Sequence, residues 1–535
     1  MRTARLALRL WAAASSLWGG VAECSLFKPL PPRVSVLDYQ GELGGNATFQ
    51  QLIDHSNPAL GTFSQQYWYN TTYWDGPGSP VVLFTPGEVD AAPYQAYLTN
   101  RTMVGLYAQA IGAATILLEH RYYGNSTPYT TLDTKALQHL NLNNSVADLA
   151  HFARTVDLPF DTNHSSNAPQ AIGGSYSGAL AAWTEKLSPG TYWAYHASSG
   201  PVEAVYDYWS YFLPIQNGMP RNCSRDLERI VEHIDGVIGE GNATEIAQLK
   251  ESFGLQDLSH ADDFGAALAF PLGDWQAIDF YSNYSEFFQM CDTIEGVRAV
   301  SPNKTNTATN ATIPSADGVG LEKALANFAS WFKVEYLPGT CQQYEYQDWN
   351  TTDSVACFDT YNETSVMYTD WNANNTINRQ WFWYICNEPF FYWQTGAPKD
   401  RPTIVSRYVT AEYFQRQCGL LFPKEGNYTF GSNNGRTAED VNMLTEGWNL
   451  TDTKRLLWVN GEFDPWRSAS VSSELRPGGP FSGTESAPLF LIPGGRHCSD
   501  LAARNGEFNK DVASIQQQQV KQMVTWINEF KADEY

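Results

Sequence analysis

Three side chains in this sequence have the types and the order of a hydroxyl nucleophile, its acid and its base. Ser175 lies in Gly173-Gly174-Ser175-Tyr176-Ser177-Gly178, between the short apolar run Ala171-Ile172 and an Ala-rich helical pattern at 179–183. A serine at the tip of a strand–turn–helix crossing is held out for attack, and glycines around it leave room for the tight turn. Ser175 has Gly173 two residues before it but Ser177 two after it. Ser177 has Ser175 before it and Ala179 after it, a poorer fit to G-x-S-x-G, so Ser175 is the candidate nucleophile.

A serine hydroxyl attacks only when an imidazole takes its proton, and a carboxylate must hold that imidazole in the right tautomer. Where the serine sits on such a turn, the acid and then the histidine follow it in the chain. Of the nine histidines only His497 lies in the last half, in Pro493-Gly494-Gly495-Arg496-His497-Cys498, directly after the strand-like run 489–492. The preceding strand-like run, 456–459, is followed by Asn460-Gly461-Glu462-Phe463-Asp464-Pro465-Trp466, which offers Glu462 and Asp464. Pro465 restricts Asp464 to extended backbone, which favours it as the acid. Asp440 and Asp452 lack a strand before them, and Asp500 comes after the histidine. The oxyanion formed by attack needs two donors. The backbone N–H of Tyr176 is the first; the second is expected from Thr85-Pro86-Gly87-Glu88, at Gly87 with Glu88 as the alternative.

The elements around these residues read as a parallel sheet covered on both faces. Residues 81–84 and 115–118 are continuous apolar runs, as buried parallel strands should be. A helical stretch with Met103, Leu106, Tyr107 and Ile111 lies between them. Another follows, with Val146, Leu149, Phe152 and Ala153 on one face and Ser145 as its expected cap. This β-α-β-α order predicts an α/β domain with a parallel, doubly covered sheet, in two parts, 46–210 and 436–535. A large, mainly helical cap, 211–435, is inserted between nucleophile and acid, with helical patterns at 227–238, 244–253 and 321–337. The Asn/Thr-rich stretch 303–318 reads as a solvated loop. At the C-terminus Val520, Met523, Val524, Ile527 and Phe530 share a helical face, with 516–519 as the polar face.

Residues 1–22 carry Arg2, Arg5 and Arg9 before an apolar stretch and end in Gly20-Val21-Ala22, the pattern of a signal peptide. Residues 23–45 suit a pro-segment or lead-in. Sixteen Asn-x-Ser/Thr sequons predict N-linked glycans and passage through a glycosylating compartment. Nothing else is apolar enough to span a bilayer, so a secreted, extracellular protein without membrane contact is expected, an acidic vacuolar or lysosome-like compartment being the variant. With Cys24 lost in processing, seven cysteines allow three disulfides and one free thiol, their pairing left open. No C-x-x-C pair or His-rich tract is present, so no metal and no cofactor are expected. The net charge of −23 repels phosphate backbones, which excludes nucleic acid as a partner, and hints at an acidic working environment.

Four stretches carry a specific resemblance: 173–178, Glu119-His120-Arg121-Tyr122-Tyr123-Gly124, 460–466 and Gly494-Gly495-Arg496-His497-Cys498-Ser499-Asp500. The chain resembles the serine peptidase family of lysosomal Pro-Xaa carboxypeptidase and dipeptidyl peptidase II from about residue 46 to the end. Phe84-Thr85-Pro86-Gly87-Glu88-Val89, Glu322-Lys323-Ala324-Leu325-Ala326-Asn327 and Cys386-Asn387-Glu388-Pro389-Phe390-Phe391 are similar to its branch of fungal acid prolyl endopeptidases. So is Ser177, where mammalian members carry glycine. The resemblance implies an α/β-hydrolase fold with a helical cap, the triad Ser175, Asp464 and His497, and hydrolysis after proline in peptides or proteins at acidic pH. An endopeptidase is expected, the family's exopeptidase modes being the alternative and a non-catalytic hydrolase-like glycoprotein a further one. A proline ring presents a compact apolar face without an N–H, so its pocket should be apolar and aromatic. Trp381-Phe382-Trp383-Tyr384 and Phe390-Phe391-Tyr392-Trp393 supply either its walls, Trp381 first among them, or packing between cap and sheet. Glu88 and Glu388 either meet a substrate terminus or serve the structure.

Overall fold

A computed structural model describes residues 32–34, 44–161, 170–303 and 308–530. The expected signal peptide and most of the expected pro-segment lie outside these residues. Ten strands are present among the described residues: β1 (Gly45–Leu52), β2 (Thr62–Asn70), β3 (Val81–Thr85), β4 (Ala114–Leu118), β5 (Gln170–Gly174), β6 (Ala194–Ser198), β7 (Val205–Asp207), β8 (Phe391–Trp393), β9 (Leu456–Gly461) and β10 (Leu489–Ile492). Eight of them form one sheet in the order β1-β2-β4-β3-β5-β6-β9-β10. β1 and β2 are antiparallel, β2 meets β4 antiparallel, and all later neighbours are parallel. This is the α/β-hydrolase fold.

Alternation along each strand decides which layer it packs against. Val82, Phe84, Leu117 and Leu457 join Met103, Val104 and Tyr107 of helix α1 (Met103–Ile111), with Met523 and Trp526 of the C-terminal helix Lys510–Asn528. Their neighbours Val81, Leu83, Ile116, Leu118, Leu456 and Trp458 turn to the other face. There they meet helix α2 (Leu142–Thr155) and helix α3 (Tyr176–Leu187). Each such side chain, fully buried, contributes about 1.5–3 kcal/mol of transfer free energy.

The β1–β2 hairpin was not expected, because its strands are rich in Gln, Ser and Thr and half exposed along β1. The cap of α2 is Asn141, whose side chain accepts the Asn144 N–H at 2.9 Å, and not Ser145. Ser145 lies a turn inside the helix and donates back to the Asn141 carbonyl. Between β6 and β9 the chain is mainly helical, including Arg221–Glu240, Ala243–Phe253, Leu321–Trp331, Arg379–Asn387 and Ala411–Leu421. It also holds the two-stranded parallel pair β7–β8. Its interior is continuous with the α2/α3 face of the sheet. Three disulfides, Cys223–Cys291, Cys341–Cys357 and Cys386–Cys418, lie wholly within it, and Cys498 is a buried free thiol. The polar face expected at 516–519 is divided: Gln517 and Gln518 are exposed, whereas Gln516 and Gln519 are buried and donate towards Asp500.

Candidate active site

The turn between β5 and α3 carries Ser175 at φ 64° and ψ −127°, a conformation that costs a non-glycine residue about 1–3 kcal/mol. Its surroundings enforce it. A Cβ on Gly173 would lie 1.9 Å from the Ser177 carbonyl oxygen, and one on Gly178 would lie 2.6 Å from the Ser198 carbonyl oxygen. Both positions therefore admit only glycine, and the Ser175 N–H donates to the Ser198 carbonyl at 2.7 Å. The neighbouring Ser177 points elsewhere. Its buried hydroxyl has no hydrogen-bond partner among the described residues and faces Gly87.

The expected acid and base converge on Ser175 from the ends of β9 and β10. His497 Nε2 lies 2.7 Å from Ser175 Oγ, and His497 Nδ1 lies 2.9 Å from Asp464 Oδ1. In the neutral imidazole, Nδ1–H donates to Asp464 and Nε2 accepts the serine O–H, which is the tautomer a general base needs. Asp464 is extended at φ −71°, ψ 120°, as its following proline requires, and Oδ1 also accepts the Trp466 N–H at 3.0 Å. Burial disfavours charge on His497. The Cys498 sulfur and the Asp464 carboxylate outweigh it, and the histidine is raised above its ordinary range. An imidazolium formed by serine deprotonation is thereby stabilised where it forms. Glu462, the other carboxylate of that loop, accepts the Gly494 N–H at 2.8 Å and so ties the acid loop to the histidine loop.

Tyr176 opens α3, so its N–H belongs to the positive end of the helix. Gly87, at φ 82°, abuts this turn: a Cβ there would lie 2.5 Å from Ser177 Oγ and 3.0 Å from Tyr176 Cδ1. The Gly87 N–H makes a long 3.4 Å contact with Thr85 Oγ1, and Glu88 follows it, fully buried. Burial is the main reason that Tyr123, Tyr176 and Tyr392 resist ionisation, and the Glu88 carboxyl adds to it.

Aromatic rings enclose the triad. Trp381 packs edge-on against the Tyr176 ring at 5.6 Å, and Tyr384 does so at 5.3 Å. The Tyr176 hydroxyl lies 3.1 Å from His120 Nε2 and 2.8 Å from the Tyr384 hydroxyl. Burial holds His120 neutral, pulled down to about 4 although its Nδ1 bond to the Arg121 carbonyl works the other way. On the acid side Trp466 lies 6.4 Å from the His497 ring and 5.3 Å from Tyr392, with its Nε1–H on Gln276 of the insertion at 2.9 Å. Of the two aromatic runs, then, Trp381 and Tyr384 pack against Tyr176, next to Ser175, and Tyr392 packs against Trp466. Trp383 donates to the Leu140 carbonyl, Phe390 stacks on Trp183, and Trp393 stacks on Phe414. Trp466 and His120 were legible only as letters of motifs; their places against the triad come from the fold.

Glu388 takes the structural alternative. One carboxylate oxygen accepts the Leu142 N–H at 3.1 Å, at the start of α2, and the other lies 2.5 Å from Arg436 Nη1. Burial pushes its carboxyl up, against the pull of Arg436 and of the Leu142 bond.

Residues 51–522 match the family described as Serine carboxypeptidase S28. The chain is 45% identical to serine protease vicPa of Bipolaris victoriae, over 92% of this chain and 90% of that protein. It is 25% identical to the human thymus-specific serine protease (96% and 95% covered) and 24% identical to the human lysosomal Pro-X carboxypeptidase (90% and 88% covered).

Proposed function

This chain belongs to the serine carboxypeptidase S28 family, and from that membership we propose a secreted peptidase that cuts on the carboxyl side of proline, within chains and in acid. The observation that carries the reading is the relay Ser175–His497–Asp464, closed by contacts of 2.7 and 2.9 Å. His497 takes the Ser175 proton as Oγ attacks the scissile carbonyl, and Asp464 balances the imidazolium. The tetrahedral oxyanion is met by the N–H of Tyr176 and by that of Gly87, with Glu88 as the alternative donor, each worth about 3 kcal/mol of barrier. His497 then passes its proton to the departing amine, and water repeats the sequence on the acyl-enzyme.

Trp381, packed edge-on against Tyr176 beside the nucleophile, is the apolar surface proposed to receive a pyrrolidine ring. The nearby Arg496 folds its guanidinium onto Trp275, 4.4 Å from the ring.

Secretion is supported by three disulfides and by the sequons. Thirteen of the fifteen sequon asparagines among the described residues are exposed. No helix of the described residues is long and apolar enough to cross a membrane. Work in acid is supported by buried carboxyls that burial pushes up, Glu119 and Glu295 to about 7 and Asp263 to about 6. These favour the folded state as pH falls, whereas the raised His497, which holds its proton in acid, works against acid activity.

Digestion of a long, unstructured, proline-containing polypeptide, with products mapped by mass, tests the reading. Internal cuts after proline are expected. Release confined to chain ends would replace it with an exopeptidase, and cleavage indifferent to proline would end it.

A further inference from the structure

The end of β6 touches all three loops that carry the triad. Ser198 pairs in register with Gly174 of the nucleophile strand on one side and with Val459 of the acid strand on the other. Its carbonyl holds the Ser175 N–H at 2.7 Å, and its hydroxyl donates to Asp500 Oδ1 at 2.6 Å. The next residue, Ser199, donates its N–H to the Val459 carbonyl at 2.7 Å and accepts the Cys498 N–H on its hydroxyl at 2.8 Å.

Asp500, three residues beyond His497, is fully buried. Besides Ser198 it has His196 Nε2 at 3.0 Å from Oδ2, off the line of an ideal hydrogen bond, and the Gln519 amide at 3.4 Å. Its carbonyl accepts from Gln516 at 2.8 Å. His196 Nδ1 lies 3.1 Å from the Tyr107 hydroxyl, so α1, β6 and the C-terminal helix all converge on one carboxylate. The triad uses none of these groups. The loop they hold is itself held in an unfavourable backbone conformation: Cys498, next to the base, has φ 51°, and Ser199 has φ 51° as well. A left-handed residue of this kind persists only where its surroundings over-determine it.

We propose that Asp500 is a positioning residue for catalysis, locking the histidine loop to the strand end that holds the nucleophile. Its two oxygens accept from the Ser198 hydroxyl and face the His196 ring, and this fixes the height of His497 Nε2 relative to Ser175 Oγ. An amide at position 500 supplies one acceptor and one donor where two acceptors are required. A displacement of about 1 Å between reacting groups costs roughly 10²-fold in rate.

The proposal rests on Ser175 and His497 being the reacting pair, so the test carries Ser175→Ala beside it. For Asp500→Asn, folded by circular dichroism, kcat on a prolyl peptide substrate is expected to fall about 10²-fold with KM near the parent value. The rate of inactivation by phenylmethylsulfonyl fluoride should fall in parallel, since it reads serine activation without peptide binding. A folded Asp500→Asn enzyme with parental kcat and parental inactivation rate overturns the positioning role, and so does a change confined to KM. If Asp500→Asn does not fold, Ser198→Ala decides. It keeps the carboxylate beside His196 and cuts only the link to the nucleophile strand. A loss of kcat at unchanged KM supports the proposal, and parental kcat overturns it. Full activity in Ser175→Ala would instead remove the underlying reading.

Discussion

Gly87 and Ser177 face each other so closely that a Cβ on the glycine would lie 2.5 Å from the serine hydroxyl. The contact places the loop after β3 against the nucleophile turn, where a second oxyanion donor is required. Gly87→Ala should strain a backbone at φ 82° by roughly 1–2 kcal/mol. It should also move the donor, lowering kcat by about 10²–10³-fold. Ser177→Ala should leave kcat near the parent value, because its hydroxyl makes no hydrogen bond among the described residues. Steady-state kinetics of the two variants checks both statements.

Asp464 both orients His497 and raises its affinity for a proton. Asp464→Asn should therefore reduce kcat by about 10⁴-fold, as loss of the correct tautomer does. Without the carboxylate the histidine loses its proton more readily. The acid limb of kcat/KM, which rises as His497 becomes neutral, should then move to lower pH. A pH–rate profile of the residual activity reads the shift, and movement to higher pH would contradict the assignment.

Stability should rise as the solution becomes acidic, down to about pH 4.5. Glu119 and Glu295, ordinarily at 4.5, are pushed up to about 7, and Asp263, ordinarily at 3.8, to about 6. Between the unfolded and folded values the native state binds more protons, so protonation favours folding. That contribution is complete below the unfolded values and is lost as pH rises through 6 to 7. His120 acts in the other direction below its ordinary 6.5, since burial keeps it neutral to about 4. Thermal melts should give a higher Tm at pH 5 than at pH 7.5. An equal or lower Tm at pH 5 would contradict the balance drawn here.

Asn70 should carry no glycan although it heads a sequon. Its side chain is buried at the end of β2, and Oδ1 accepts the Thr72 N–H at 2.7 Å. Glycan mapping of the protein expressed in a glycosylating host should find occupancy among exposed positions such as Asn100, Asn283 and Asn427. An occupied Asn70 in active protein would contradict this placement of β2.

The convergence of Ser175, Asp464 and His497 was legible because each follows a short apolar strand, and such strands announce themselves in composition. What surrounds the triad was not. Trp466 faces the His497 ring because the loop after β9 turns back, and His120 meets the Tyr176 hydroxyl across two strands; neither distance is a sequence spacing. Gln516 and Gln519 read as a solvated face because glutamine is polar. They are buried because Asp500 needs donors. Glu388 reads either way in sequence, and its partners Arg436 and the Leu142 N–H are visible only in the fold. Tertiary partners decided each case, and those partners lie 16 to 246 residues away.

Covalent capture tests whether Ser175 is the nucleophile. A peptidyl phosphonate ester with proline at the position before the reactive phosphorus should add once to the protein and abolish activity. Peptide mapping should place the adduct on Ser175, and Ser175→Ala, correctly folded, should neither label nor turn over. An adduct on Ser177, or full activity in Ser175→Ala, would contradict the account.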